Sequence, residues 1–295
     1  MRFSFKQTLR SSLKSSILIL KLVIPLYIFA DILLYFGWLD YISFIFEPIT
    51  NVLHLPKETA LALAAGVFLN IYAAIAFAAP LGLSPYEWTI LGLFLGVCHS
   101  MLIESAIMKK LGITVRYAFS LRVSMAFLAV IPLGFMPLSW FGEKAVLSTQ
   151  KKEVFDSFFS MIENSLYGSL VLSAKVILLI VSIIFLMDFI KSTKIVQEYQ
   201  QKVSASFSII AGLILGITYG AGILINEAKS GALSKKEIFY IGTFLMICHS
   251  IIEDTLLFVI FGANYWILVL VRLVYAIIFS YILVKIFFKN ENVLG

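Results

Sequence analysis

The chain has 295 residues, of which 61% are hydrophobic and only 14% charged. That is too little polar surface to coat a soluble globule, and the apolar runs reach membrane length, so the chain reads as an integral membrane protein. Its formal net charge of +6 would suggest nucleic acid in a soluble chain. Here the basic residues cluster at the ends of apolar segments, where membrane topology accounts for them and leaves no case for a nucleic-acid partner.

The leader MRFSFKQTLRSSLKSS alternates Phe3, Phe5, Leu9 and Leu13 with Arg2, Lys6, Arg10 and Lys14. No small-x-small cleavage site follows, so the expectation is an uncleaved first helix, apolar over 16–38, behind a basic interfacial leader. Lys21, and Lys175 in the second half, are expected near helix ends, where a lysine stem snorkels to water. The stretch DYISFIFEPITNVLHLPKE at 40–58 reads as an interfacial amphipathic segment present only in the first half, with His54 on the surface. Segments 59–82, 87–108 and 116–138 follow, and GEKAVLSTQKKEVFD at 142–156 is the natural linker. Beyond it lie apolar segments 166–190, 205–226, 237–260 and 265–288, again four to a half.

The halves repeat. Cys-His-Ser occurs at 98–100 and at 248–250, and these copies hold both cysteines and two of the three histidines. At an offset of 150 residues, GLSPYEWTILGLFLGVCHS from Gly82 lies over ALSKKEIFYIGTFLMICHS with 9 of 19 positions identical. The same register sets Glu104 on Asp254, Gly112 on Gly262, Arg122 on Arg272 and Gly66 on Gly216. A unit this long is half a transporter rather than a solenoid repeat, giving one membrane domain built from 1–150 and 151–295.

Charge decides the topology. If all eight segments cross, Lys and Arg divide 12 inside to 7 outside; if 59–82 and 205–226 are re-entrant hairpins, they divide 15 to 4. The positive-inside rule prefers the second arrangement, with both termini cytoplasmic, three crossings per half and the halves inverted. The fold class is thus an all-α membrane protein of two inverted repeats, each about three transmembrane helices plus a re-entrant or broken hairpin. Composition agrees: 59–82 holds nine alanines, and 212–222 reads GLILGITYGAG. Small residues permit close packing and glycine permits a break. Asn70 and Tyr72, and Thr218 and Tyr219, are placed near the hairpin tips.

Read as continuous helices, 87–108 and 237–260 carry His99 and His249 deep in the bilayer, where polar groups are costly and face a cavity or a partner. Helical spacing puts Ser100 with Glu104, Ser250 with Asp254, and His249 with Glu253. The candidate substrate-binding residues are Cys98, His99, Ser100, Glu104, Cys248, His249, Ser250, Glu253, Asp254, Arg122, Arg272, Asn70 and Tyr219. Three readings stay open: a polar-solute site with a coupling proton or cation, a metal site drawing on His99, Glu104, His249, Glu253 and Asp254, or groups that only satisfy one another. Arg122 and Arg272 either pair with Glu104 and Asp254, bind an anion, or snorkel. No GxxxxGK[ST], GxGxxG, HExxH or GxSxG string occurs, so the expectation is no enzyme and no resident cofactor.

The duplicated Cys-His-Ser followed by an acidic residue, above all ICHSIIEDTLLFVIFGAN at 247–264, resembles the nucleoside-recognition or Gate-domain membrane proteins. That group includes parts of concentrative nucleoside transporters, FeoB-type ferrous iron transporters and spore maturation membrane proteins. The resemblance covers about 60–125 and 210–275 and is strongest to small stand-alone members. It implies inverted repeats whose hairpins and interrupted helices meet at the substrate. The GTPase domain of FeoB proteins and the sugar- and sodium-binding motifs of the nucleoside transporters have no counterpart in these residues. The expected function is a secondary transporter of a small polar solute, nucleoside-like in the first instance, in the cytoplasmic membrane. The alternatives are a divalent metal permease or a non-transporting scaffold. The implied partners are the bilayer, the solute or ion, and further copies of the chain.

Overall fold

The computed structural model describes residues 3–44, 46–142, 155–193, 205–229, 231 and 233–289; most of the expected linker at 142–156 lies outside them. Every regular element among the described residues is helical. Five helical stretches are long and apolar enough to cross a bilayer, so this is a multi-pass membrane protein whose outer helices meet lipid.

Helix α1 runs Phe5–Tyr35 and α9 runs Phe158–Ser192. The basic leader continues straight into α1, so Lys21 and Lys175 are mid-helix, not near helix ends as the sequence suggested. The two helices lie antiparallel. Thr8 donates to Asp188 at 2.8 Å near one end, Ser165 donates to Asp31 at 2.6 Å near the other, and Tyr35 packs on Phe158. Short helices α2 (Trp38–Ser43) and α3 (Glu47–Val52) form the 40–58 segment. Exposed Tyr41 and Phe44, and exposed His54, fit an interfacial position.

The alanine-rich and glycine-rich segments are hairpins. Helices α4 (Ala60–Phe68) and α5 (Ile71–Ala78) break at Asn70, whose side chain accepts from the Ala73 amide. Helices α10 (Ala205–Leu215) and α11 (Ile217–Lys229) break at Gly216, φ +91°. In a continuous helix residues eight apart stand about 12 Å apart along the axis. Instead, a Cβ on Gly66 would lie 3.0 Å from Cβ of Ala74, and one on Gly220 would lie 2.4 Å from Cα of Gly212. Nine-residue α4 rises only about 13 Å, less than half a bilayer core.

Helices α6 (Pro85–Val97), α7 (Met101–Lys109) and α8 (Val115–Val130) have counterparts in α12 (Lys235–Ile247), α13 (Glu253–Val259) and α14 (Tyr265–Phe287). Both α6 and α12 start with a capping box, Ser84 with Glu87 and Ser234 with Glu237. Contacts between the halves are reciprocal. A Cβ on Gly92 would meet Phe258, and one on Gly242 would meet Ile113 and, further off, Met108, the counterpart of Phe258.

Candidate functional site

The repeated Cys-His-Ser is not the middle of a continuous helix, as its apolar setting suggested, but a break. Helix α6 stops at Val97 and α7 starts at Met101; α12 stops at Ile247 and α13 starts at Glu253. Ser100 and Ser250 sit in the left-handed region, φ +47° and +45°, an uncommon conformation for residues other than glycine. His249 and Glu253 therefore do not share a helical face.

A broken helix in a membrane must satisfy the backbone groups it frees, and here conspicuous side chains do so. The Leu95 carbonyl would accept the His99 amide in an unbroken helix; the His99 imidazole takes that place, Nδ1–H donating to Leu95 O at 2.7 Å. His249 does the same to Leu245 O at 2.7 Å. Arg122 donates Nε–H to Val97 O at 2.7 Å and Nη2–H to His99 O at 2.8 Å, while Arg272 donates to His249 O at 2.6 Å. The hairpins take the freed amides: Ser100 N–H donates to Gly66 O at 3.0 Å, Ser250 N–H to Gly212 O at 3.4 Å, and Ile251 N–H to Leu213 O at 2.8 Å. Gly66 thus corresponds to Gly212, not to Gly216 as a gapless register gives.

Between the breaks lies an ionic cluster. Glu104 has His99 Nε2 at 3.0 Å, His249 Nε2 at 3.4 Å and Arg122 Nη1 at 2.9 Å within ion-pair distance, the last two without hydrogen-bond geometry. Asp254, its counterpart, is held more loosely, with Arg272 at 3.6 Å and His99 at 4.0 Å. The imidazole rings stand 5.2 Å apart. Both Nδ1 atoms are committed to carbonyls, so each Nε2 meets the carboxylate through a shared proton or through a cation held between them. Glu253, whose counterpart in the first half is Ile103, accepts from Tyr72 Oη of α5 at 3.0 Å.

A cavity of about 240 Å³ opens onto this cluster, room for several waters. Of the sequence candidates, Asn70, His99, Ser100, Glu104, His249, Ser250, Glu253 and Asp254 line it. Four do not. Cys98 and Cys248 are buried behind the breaks, and Arg122 and Arg272, each 1% exposed, face the backbone carbonyls. The arginines cap the breaks and, as one of the sequence alternatives had it, pair with Glu104 and Asp254. Tyr219 falls within α11, but its side chain lies outside the described residues. Gly216 and Tyr72 also line the cavity; both are named from the sequence, in the glycine-rich run and at a hairpin tip, without either being offered as a site residue. His99, Glu104 and His249 bring one ligand atom each within 4.8 Å of the others, and among the described residues they are the set whose spacing suits a metal ion.

The fold and site define a multi-pass helical membrane protein in which interrupted helices enclose a polar cavity. Its sequence is 30% identical over 275 residues to the membrane protein YvoD of Bacillus subtilis (strain 168), itself described as uncharacterized, spanning 88% of this chain and 87% of that protein. The chain belongs to the YvoD family of membrane proteins. No protein-family profile and no solved structure matches it.

Proposed function

We propose that the chain is a secondary transporter of the Gate-domain type rather than an enzyme, moving a small polar solute through the central cavity. One observation carries this: the hairpin breaks at Asn70 and Gly216 and the helix breaks at Ser100 and Ser250 all converge on one polar cavity. Non-helical backbone at membrane depth is tolerated where it lines such a space, and transporters build their sites this way. The antiparallel α1 and α9 and the reciprocal contacts between halves support inverted repeats, and the distribution of lysine and arginine favours both termini on the cytoplasmic face. The lining chooses among cargoes. Three carboxylates and two imidazoles face the cavity while both arginines are turned away, which favours a hydrogen-bond-donating or cationic solute, a hydroxyl-rich nucleoside-like molecule included, over an organic anion. A shared proton between imidazole and Glu104 is the natural coupling ion.

The His99, Glu104 and His249 cluster favours a second reading, a divalent metal permease. Nδ1 bonds to carbonyls are the orientation that metal-binding histidines use. Thermal-shift measurements on purified protein separate the two. The expected result is stabilisation by nucleosides or by Zn²⁺ or Mn²⁺, none by organic anions, and loss of the shift in His249→Ala. A shift that survives both His99→Ala and His249→Ala removes this cavity from the ligand site.

The inverted arrangement makes its own prediction. In that arrangement the loop carrying Ser139 faces outside and that carrying Lys110 faces inside, both side chains being exposed, while native Cys98 and Cys248 are buried. An impermeant maleimide applied to intact cells should label Ser139→Cys and spare Lys110→Cys. The opposite pattern would return the halves to a parallel arrangement.

A further inference from the structure

Two lysines on the outer face of the molecule have no role in the cavity. The register of α1 against α9, with Thr8 at Asp188 and Asp31 at Ser165, sets Lys21 level with Lys175, since both lie 13 residues from the first contact. Both are exposed, and neither has a hydrogen bond or ion pair among the described residues. Lys175 is the one charged residue between Glu163 and Asp188, so about 18 Å of helix separates it from the nearer of these. On α1 the nearest charge to Lys21 is Lys14, about 10 Å along the axis, so both lysines stand well inside the helices rather than at the ends where a lysine stem snorkels readily. Around the pair the face is apolar, with Leu18, Phe29, Leu170, Val171 and Leu178 exposed.

A lysine at the centre of a membrane helix is disfavoured, and two at one level compound that cost unless an opposite charge meets them. A second copy of this chain does not supply one. Copies of one topology bring lysine level with lysine, and Asp31, Glu104, Asp188, Glu253 and Asp254 are all buried or half-buried and already engaged. We propose that the outer face of the α1 and α9 pair is a docking surface for the transmembrane helix of a partner protein carrying an Asp or Glu at mid-depth, held by Lys21 and Lys175. The docking is independent of what the cavity transports.

The test uses the full chain in lipid nanodiscs and three labelled synthetic helices, alike except for a central Asp, Asn or Leu, with association read by energy transfer. The Asp helix should associate at least tenfold more tightly than the Leu helix, and the Lys21→Leu, Lys175→Leu double variant should lose that difference. The double variant, relieved of two lipid-facing charges, should keep or raise its thermal stability, which separates lost docking from lost folding. Equal association of the Asp and Leu helices, or a preference for Asp that survives in the double variant, overturns the proposal. So does a wild-type dimer that the double variant breaks, because it gives the face to a second copy.

Discussion

Arg122→Met should destabilise the protein by about 3–5 kcal/mol, the usual cost of leaving a buried charge without its partner. Arg122 ends two helical problems at once. Its Nε and Nη2 close the carbonyls of Val97 and His99 that the break in α6 leaves open, and its Nη1 stands 2.9 Å from Glu104. Methionine fills the volume and does none of this. Arg272→Met should cost less, because Arg272 makes one carbonyl bond and stands 3.6 Å from Asp254. The check is equilibrium unfolding of both variants in one detergent, completed as a double-mutant cycle. Glu104→Gln removes the orphaned charge, so Arg122→Met with Glu104→Gln should be less destabilised than the sum of the singles. Equal costs for the two arginines would mean that neither the Glu104 contact nor the second carbonyl contributes, and additive effects in the cycle would deny the ion pair.

The same arginines mark where sequence reasoning stopped. The duplication, the helical class and the hairpins were legible, because a repeated Cys-His-Ser, runs of alanine and glycine, and the asymmetry of lysines survive in composition and spacing. The helix break was not, because hydrophobic residues continue on both sides of Cys98 and Cys248 and periodicity carries no mark of a single left-handed residue at Ser100 or Ser250. Read as unbroken helices, the segments offered Arg122 and Arg272 pairing with Glu104 and Asp254, an anion, or the interface; the pairing is present, but nothing in a continuous helix pointed to the carbonyls that both also cap. Once the break is seen, an acceptor-rich turn needs donors from a neighbouring helix, and an arginine some two dozen residues downstream supplies them in each half. The hairpin register was hidden for a different reason. The lengths between hairpin and motif differ between halves, so a gapless offset set Gly66 against Gly216, when the carbonyls that meet Ser100 and Ser250 belong to Gly66 and Gly212.

Gly220→Val should cost more than the roughly 1–3 kcal/mol typical of overpacking, and should abolish ligand-induced stabilisation together with the fold of the second hairpin. The reason is what the new side chain meets. A Cβ at Gly220 lies 2.4 Å from Cα and 2.9 Å from N of Gly212, backbone that cannot rotate away. At Gly212 the near neighbour of a Cβ is the end of Leu245, which can. Gly212→Ala should therefore be the milder change. The first half offers an internal comparison, because Ala74 already occupies the place of Gly220, and there a Cβ on Gly66 would stand 3.0 Å from Cβ of Ala74. The first hairpin is thus built one methyl wider than the second. Spreading the arms of α10 and α11 draws the Gly212 and Leu213 carbonyls away from Ser250 and Ile251, leaves two amides at the helix break without their partners, and moves Gly216 out of the cavity wall. Circular dichroism would then show most helix retained, while thermal unfolding starts earlier and the ligand shift vanishes. A Gly220→Val protein with wild-type stability and an intact ligand shift would show that the hairpin arms do not touch as tightly as these contacts require.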